Sequence, residues 1–577
     1  MTPRPMVLAL VLGLLALSPL EAALPETGPC RPEVQAFRKA ESERAARLLA
    51  VLSDPLKYGV QPRQEVDILL TDLDLRLDPG ARRIAGTVTF TFRPTASLSR
   101  LKLRLHRALS LGPCRLDGAL QAVKRKKDDL TFAFTPALPA GTEHTLSVAY
   151  QGTPVVSGAL GGGMFFSEHD GVPSATTLSE PFDSYAWWPC VDDVADKALA
   201  RIRLTVPSGM VGASNGTLES HTVNGDGTET WTWFEGYPIA NYLIAANVTN
   251  YALFTDVYTA LDGLTAMPLL HFVYPEDEAA ARVNFSRVPE MIGWMAQSCG
   301  EYPFLAEKYG MVAFPWGGGM EHQTLTSMGD RFVGGFGNYD EIYVHELAHQ
   351  WWGDDVTCGT WNDVWLNEGF ATYFEALWIA REEHRSMGEV MAYYDDGRYD
   401  GYLGGAVYLK DGDTAFTDTG AIYDKGAWVL HMLRYVVGDD AFFSALRAYR
   451  AAHAYGNATT EDLRAAFEAA AGRDLSWFFE QWVYTPKRPV YRVSWSPVSG
   501  GVSVTVEQRQ KHRIARRTTL RDTYIMPLEV TLHYTDGSAE TLSVWNDQRS
   551  QTFTLPASKA VASVGLDEGN HLLKVLQ

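Results

Sequence analysis

At 577 residues the chain is too long for one hydrophobic core, and about three domains are expected. Hydrophobic residues at 46% and charged residues at 21% are ordinary for a soluble globular protein. The formal charge of −19 argues against nucleic acid as a partner, because its phosphates would be repelled, and weakly favours substrates that carry a free ammonium.

The first segment reads as a secretory signal rather than as part of the fold. Arg4 precedes an apolar run from Met6 to Leu17, broken only by Gly13, and Pro19 and the small Ala22 and Ala23 follow. Residues 1–23 are therefore expected to be removed on export, giving a periplasmic or secreted protein. About a dozen apolar residues fall short of the roughly twenty that span a bilayer, and no other stretch is long enough, so no membrane span is expected in the mature chain. Five scattered cysteines, Cys30, Cys114, Cys190, Cys299 and Cys358, form no CxxC pair and argue against a cysteine metal site. A Cys30–Cys114 bridge is one possibility, since export permits disulfides, although spacing does not set the pairing.

Residues 24–60 form an arm with a short helix predicted over 32–52, where charged and apolar residues recur at helical spacing. Residues 61–252 then show short alternating runs, such as Val66-Asp-Ile-Leu-Leu, punctuated by Asp78-Pro-Gly and Asn224-Gly-Asp-Gly; this is the pattern of an all-β domain. Two short runs are read as turns: Lys124-Arg-Lys-Lys, and Gly161-Gly-Gly-Met, which lacks the Lys-Ser/Thr of a phosphate loop. Over 253–486 helical periodicity takes over, with helices predicted at 282–298, 340–352, 367–381, 422–437, 440–452 and 460–471. Pro486 and Pro489 mark a boundary, and strands return over 487–577, with Tyr534-Thr-Asp-Gly as a hairpin turn. The basic run Arg509, Lys511, His512, Arg513, Arg516 and Arg517 reads as a solvated face, with contact to a substrate carboxylate as the sharper alternative.

The segment that carries chemistry is Tyr343-Val-His-Glu-Leu-Ala-His-Gln-Trp-Trp. His345 and His349, four residues apart on a helix, stand one turn apart on one face and can grip one metal ion, with Glu346 beside them as a candidate general base. Glu368 follows at a distance that lets a second helix return a carboxylate to the pair. Two histidines and one glutamate leave a fourth position for water, the arrangement of a catalytic zinc site, one Zn2+ per chain. Zinc would acidify that water and polarise a scissile carbonyl, while Glu346 takes the proton.

These motifs, together with Gly317-Gly-Gly-Met-Glu-His, Trp365-Leu-Asn-Glu-Gly-Phe-Ala-Thr-Tyr, Ile422-Tyr-Asp-Lys-Gly-Ala and Ser179-Glu-Pro, resemble the gluzincin aminopeptidases, the family of aminopeptidase N and leukotriene hydrolase. The resemblance implies a multidomain α+β protein: an N-terminal β domain, a thermolysin-like, mainly helical catalytic domain and a small C-terminal β-sandwich. It implies zinc on His345, His349 and Glu368, Glu346 as base, and Tyr423 as donor to the oxyanion. It further implies Glu321 and Glu180 as partners of the substrate's α-ammonium, and Gly317, Gly318, Gly319 and Met320 as a strand-like cradle for the peptide. His322 stands where the family usually has asparagine; it is read as a packed or hydrogen-bonded residue, with a pH-sensing role as the alternative. The chain ends after the third domain, so a more open cleft than in longer members is expected. The competing readings are a thermolysin-like zinc endopeptidase and a non-catalytic peptide-binding relative.

Overall fold

Alternation of apolar and polar side chains builds the first hairpin. β1 (Val66–Asp78) and β2 (Arg83–Pro94) pair antiparallel from Val66 opposite Pro94 to Asp78 opposite Arg83. Along β1, Leu73, Leu75 and Leu77 are fully buried while Asp74, Arg76 and Asp78 face solvent, the period-two signature of a half-buried strand. The computed structural model describes residues 32–53, 64–157, 162–335, 337–395, 405–409, 420–510 and 522–577. The export signal, Cys30 with its suggested bridge, and the basic run beyond Gln510 lie outside these residues. Cys114, Cys190, Cys299 and Cys358 are buried and form no disulfide among the described residues.

β1 also runs parallel to β3 (Ala198–Pro207), so this pair sits in the middle of an eight-stranded sheet. A five-stranded sheet follows, in which the strand Val172–Leu178 leads directly to Glu180. Both glycine- and lysine-rich runs differ from the turns expected of them. Val123–Lys126 is an edge strand paired to Asp129–Leu138, and its turn falls one residue later, where Lys127 takes φ of 56°. Charged side chains suit such an edge, since they discourage pairing with another chain. Gly162 opens the strand Gly162–His169, where a Cβ on Gly163 would strike the Val155 carbonyl.

The next sheet belongs to the helical half of the chain. Its order is Ala252–Thr259, Ala266–Val273, β4 (Met311–Phe314), then Thr326–Gly329, with β5 (Gly319–Met320) at the edge. β5 pairs antiparallel with Thr326–Gly329 through Gly319 opposite Met328 and Met320 opposite Ser327. The helix predicted at 282–298 is two helices, Glu278–Asn284 and Val288–Cys299. Pro289 is the reason: it lacks an N–H and clashes with the preceding turn, so it is tolerated only where a helix begins. The remaining predicted helices are present: α2 (Asp340–Ala348), α3 (Trp365–Glu382), α4 (Gly426–Val437), α5 (Asp439–His453) and α6 (Thr460–Ala471). From Val490 onward a four-stranded and a three-stranded sheet form the C-terminal sandwich. The arm helix is present as well, over Pro32–Ser53. Buried apolar side chains form one continuous core from Phe37 to Leu573.

Candidate metal centre and peptide cleft

α2 is buried at every one of its positions, with Asp340 and Glu341 in its first turn, where the helix dipole favours negative charge. His345 and His349 project from one face, their ring centroids 5.1 Å apart. α3 packs against α2 and carries Glu368 in its first turn. Glu368 Oε2 lies 3.4 Å from His349 Nε2 and 3.7 Å from His345 Nε2. These three atoms are buried, and none has a hydrogen-bond partner among the described residues. A tetrahedral zinc with bonds of about 2.0–2.1 Å sets its ligands about 3.3 Å apart, so the donor set and spacing fit zinc.

Each imidazole is held from behind. His345 Nδ1 is 3.2 Å from Glu375 Oε2, and His349 Nδ1 is 3.2 Å from the Trp352 carbonyl oxygen. A carboxylate and a carbonyl only accept, so Nδ1 is the donor in both, and Nε2 is turned to the metal position. Burial works to lower the His345 imidazole, but Glu368 and Glu375 raise it to about 9. Burial would raise the Glu368 carboxyl, yet Arg44 and His349 hold it well below the usual carboxylate range. The pocket is built to hold positive charge.

Glu346 has both oxygens buried without a hydrogen-bond partner among the described residues, and burial followed by the Glu41 carboxylate pushes it well above the usual range. Gly319 explains its position. A Cβ at 319 would lie 2.3 Å from Glu346 Oε1, so only glycine lets β5 pass beside the carboxylate. Gly318 faces the Trp316 ring, the Arg331 guanidinium donates to the Gly317 carbonyl, and Met320 is fully buried.

Beyond β5 the chain is clamped by Gln350. Its amide donates at 3.4 Å to the carbonyls of both Glu321 and His322, and its oxygen accepts from Thr324 N–H, a residue with φ of 61°. Thr324 in turn donates to Glu235 and accepts from Gly216 N–H, which ties this segment to the β domain. Glu321, fully buried, accepts from Tyr242 O–H at 3.5 Å. Oxygens of Glu180, Glu321 and Glu368 lie within 4.8 Å of one another, so the β domain does deliver Glu180 to the same place. His322 is buried, hydrogen-bonded to Ser327 Oγ at 2.8 Å, and pushed down to about 3 by burial and by Arg44. It is neutral near neutral pH, the packed residue of the plainer reading.

Tyr423 sits on a π-helical turn, Ala421–Lys425, immediately before α4. Such turns re-aim a side chain within an otherwise helical run. The close approach of Gly369 on α3 to Gly426 on α4, where a Cβ on either would meet the other's Cα inside 3.0 Å, lets the two helices pack tightly and brings the Tyr423 ring to 6.3 Å from that of His345. Burial, then Glu368, push its hydroxyl well above the usual tyrosine range, so it stays protonated.

Two functional residues escaped the sequence reading. Glu375 lies seven residues after Glu368, two turns along the same face of α3, a spacing that was available as a signal. Gln350 carries no such mark; only its contacts reveal it. The expectation of a cleft more open than in longer members did not foresee the arm helix. The helix α1 (Pro32–Ser53) lies in it, with Phe37 edge-on to His345 and Arg44 among the carboxylates.

Two histidines from one helix and a glutamate from the next, on a scaffold of this layout, define a metallopeptidase-type zinc centre. The chain matches the Peptidase family M1 domain over residues 285–482 and the Peptidase M1 N-terminal domain over residues 67–243. It belongs to peptidase family M1. Aminopeptidase M1 of Arabidopsis thaliana is 29% identical over 459 residues, covering 72% of this chain and 50% of the relative. Aminopeptidase N of Streptomyces lividans is 30% identical over 337 residues, covering 55% and 38%. The chain thus spans about half the length, or less, of these curated relatives. It is similar to a crystal structure of an M1 zinc metallopeptidase mutant from Deinococcus radiodurans bound to a Tyr-Ser-Ala substrate, with a TM-score of 0.65 and 26% identity, covering 74% of this chain and 96% of that one.

Proposed function

We propose that this chain is a zinc-dependent aminopeptidase that hydrolyses the N-terminal peptide bond of peptides. One observation carries the reading: the buried carboxylates of Glu180 and Glu321 converge beside the metal trio without belonging to it. Cutting inside a chain gives such carboxylates nothing to bind, because an internal amide nitrogen carries no charge. A peptide's terminal ammonium needs just this, charge-assisted acceptors one residue from the scissile bond. The place already attracts a cation, since the Arg44 guanidinium pairs with Glu180 at 2.7 Å and Glu321 at 3.4 Å.

Zinc, when bound by His345, His349 and Glu368, acidifies water and polarises a carbonyl. Glu346, whose carboxylate oxygens have no hydrogen-bond partner among the described residues, would take the attacking water's proton and pass it to the leaving amine. Tyr423, protonated, donates to the developing oxyanion of the substrate. β5 lies at the edge of its sheet, where a peptide can run beside it as a further strand. The reading is tested with paired peptides, one N-acetylated: the free peptide should be trimmed from its N-terminus and the blocked one spared. Equal cleavage of both, at internal bonds, would favour an endopeptidase. Glu346→Gln should lose turnover at least a thousandfold with zinc retained.

Residues 1–23 are read as an export signal on the strength of Arg4 and the apolar run after it. N-terminal sequencing of exported protein should begin near Ala23; an intact Met1 on protein found only inside the cell would contradict this.

A further inference from the structure

We propose that α1 is an intramolecular inhibitor, a helix that fills the substrate cleft and sets Arg44 where a peptide's N-terminal ammonium would bind. The inference rests on the aminopeptidase reading for what is displaced; the occupancy itself rests on contacts.

Phe37, Ala40, Glu41, Arg44 and Leu48 recur at helical spacing, and all are buried. They form the face turned into the cleft. At one end Phe37 meets the His345 ring edge-on at 5.5 Å and Phe332 at 6.1 Å. Next to it Arg38 pairs with Glu375 at 2.6 Å and Asp424 at 3.0 Å, so the helix grips the carboxylate that orients His345. In the middle Glu41 accepts from Tyr423 O–H at 3.2 Å, taking the donor assigned to the substrate's oxyanion. A Cβ on Gly318 would lie 2.9 Å from Glu41 Oε1, which places α1 directly against the glycine cradle. Arg44 then reaches Glu180, Glu321 and Glu368.

Each element of substrate recognition is engaged by this one helix: the ammonium carboxylates, the oxyanion donor and the backbone cradle. Its contact with Glu368 uses Oε1, which leaves Oε2 facing the two imidazoles. The helix therefore excludes peptide while sparing the metal position. Surface salt bridges contribute little, but these pairs are buried at both ends, so seating α1 also relieves the carboxylates it covers.

The test uses the zinc-loaded full-length protein. Hydrogen exchange over residues 32–53 reads the seating directly, and hydrolysis of leucyl-4-nitroanilide reads its consequence. The α1 amides should be protected in the parent, and Phe37→Asp should expose them while leaving zinc content unchanged. Phe37→Asp should raise kcat/KM at least tenfold, and Arg44→Ala, a milder change, severalfold. A synthetic peptide of residues 32–53 should inhibit the Phe37→Asp protein competitively, raising KM without lowering kcat. Unprotected α1 amides in the parent would overturn the proposal, as would release of α1 with no gain over a parent that already hydrolyses the amide. If α1 is protected in the parent and released in the variants, yet none of the proteins cleaves unblocked aminoacyl amides, occlusion stands and the aminopeptidase reading falls.

Discussion

Gly319 shows how a residue with no chemistry of its own governs the site. Its missing side chain is the space beside Glu346, and an added Cβ would sit 2.3 Å from the carboxylate. Gly319→Ala should therefore displace the base, lowering kcat about a hundredfold, the usual cost of a displacement near 1 Å, with zinc content unchanged by metal analysis. Glu375 acts from the other side, by orienting His345. Glu375→Ala should weaken zinc binding by about 10–100-fold, measured by competition against a chromophoric chelator. A loss of rate with zinc affinity intact would remove that role. Both residues were reachable from sequence only in part: the glycine run stood out, but its steric reason did not.

At the scale of elements, helix and strand boundaries followed local chemistry closely, and the exceptions have local causes. Pro289 split one predicted helix, and the π-helical turn before α4 re-aimed Tyr423 in a way periodicity does not register. The strand Ala266–Val273 carries a different kind of exception, His271. It is packed between Phe254 and Phe285, each ring 5.0 Å away, and neither of its nitrogens has a hydrogen-bond partner among the described residues. Burial pushes it down to about 3. In the unfolded chain it titrates near 6.5. Between these values the unfolded state binds the extra proton, so this contribution is intact above about pH 6.5 and is lost as pH falls towards 3. His271→Leu should flatten the acid-side fall in stability by up to about 1.4 kcal/mol per pH unit between pH 6 and 4, read from urea denaturation. An unchanged slope would mean that His271 is charged when folded.

At the scale of the molecule, the formal charge of −19 surrounds a cleft already lined with carboxylates. Such a field draws cationic substrates in and is screened by salt. For unblocked aminoacyl amides kcat/KM should fall about threefold between about 0.01 and 0.15 M salt, through KM rather than kcat. A salt-independent KM would show that recognition is confined to the contacts made inside the cleft. The molecule also joins its domains at the site: Thr324 bonds to Glu235 and Gly216, and Lys197 donates to the carbonyls of Asp354 and Asp355. The site is thus assembled from both the β domain, which brings Glu180, and the helical half, which brings Glu321 and Glu368.

Sequence alone was enough for the class of fold and for the metal trio, because both rest on short-range order. A four-residue spacing on a helix sets two imidazoles side by side whatever surrounds them, and alternation or helical periodicity marks strands and helices one at a time. Tertiary structure decided what those elements face. That Glu375 backs His345, that Gln350 clamps the Glu321 segment, and that the arm helix closes the cleft all depend on contacts between residues distant in the chain. Such contacts are set by the summed packing of the whole core, which no local pattern encodes.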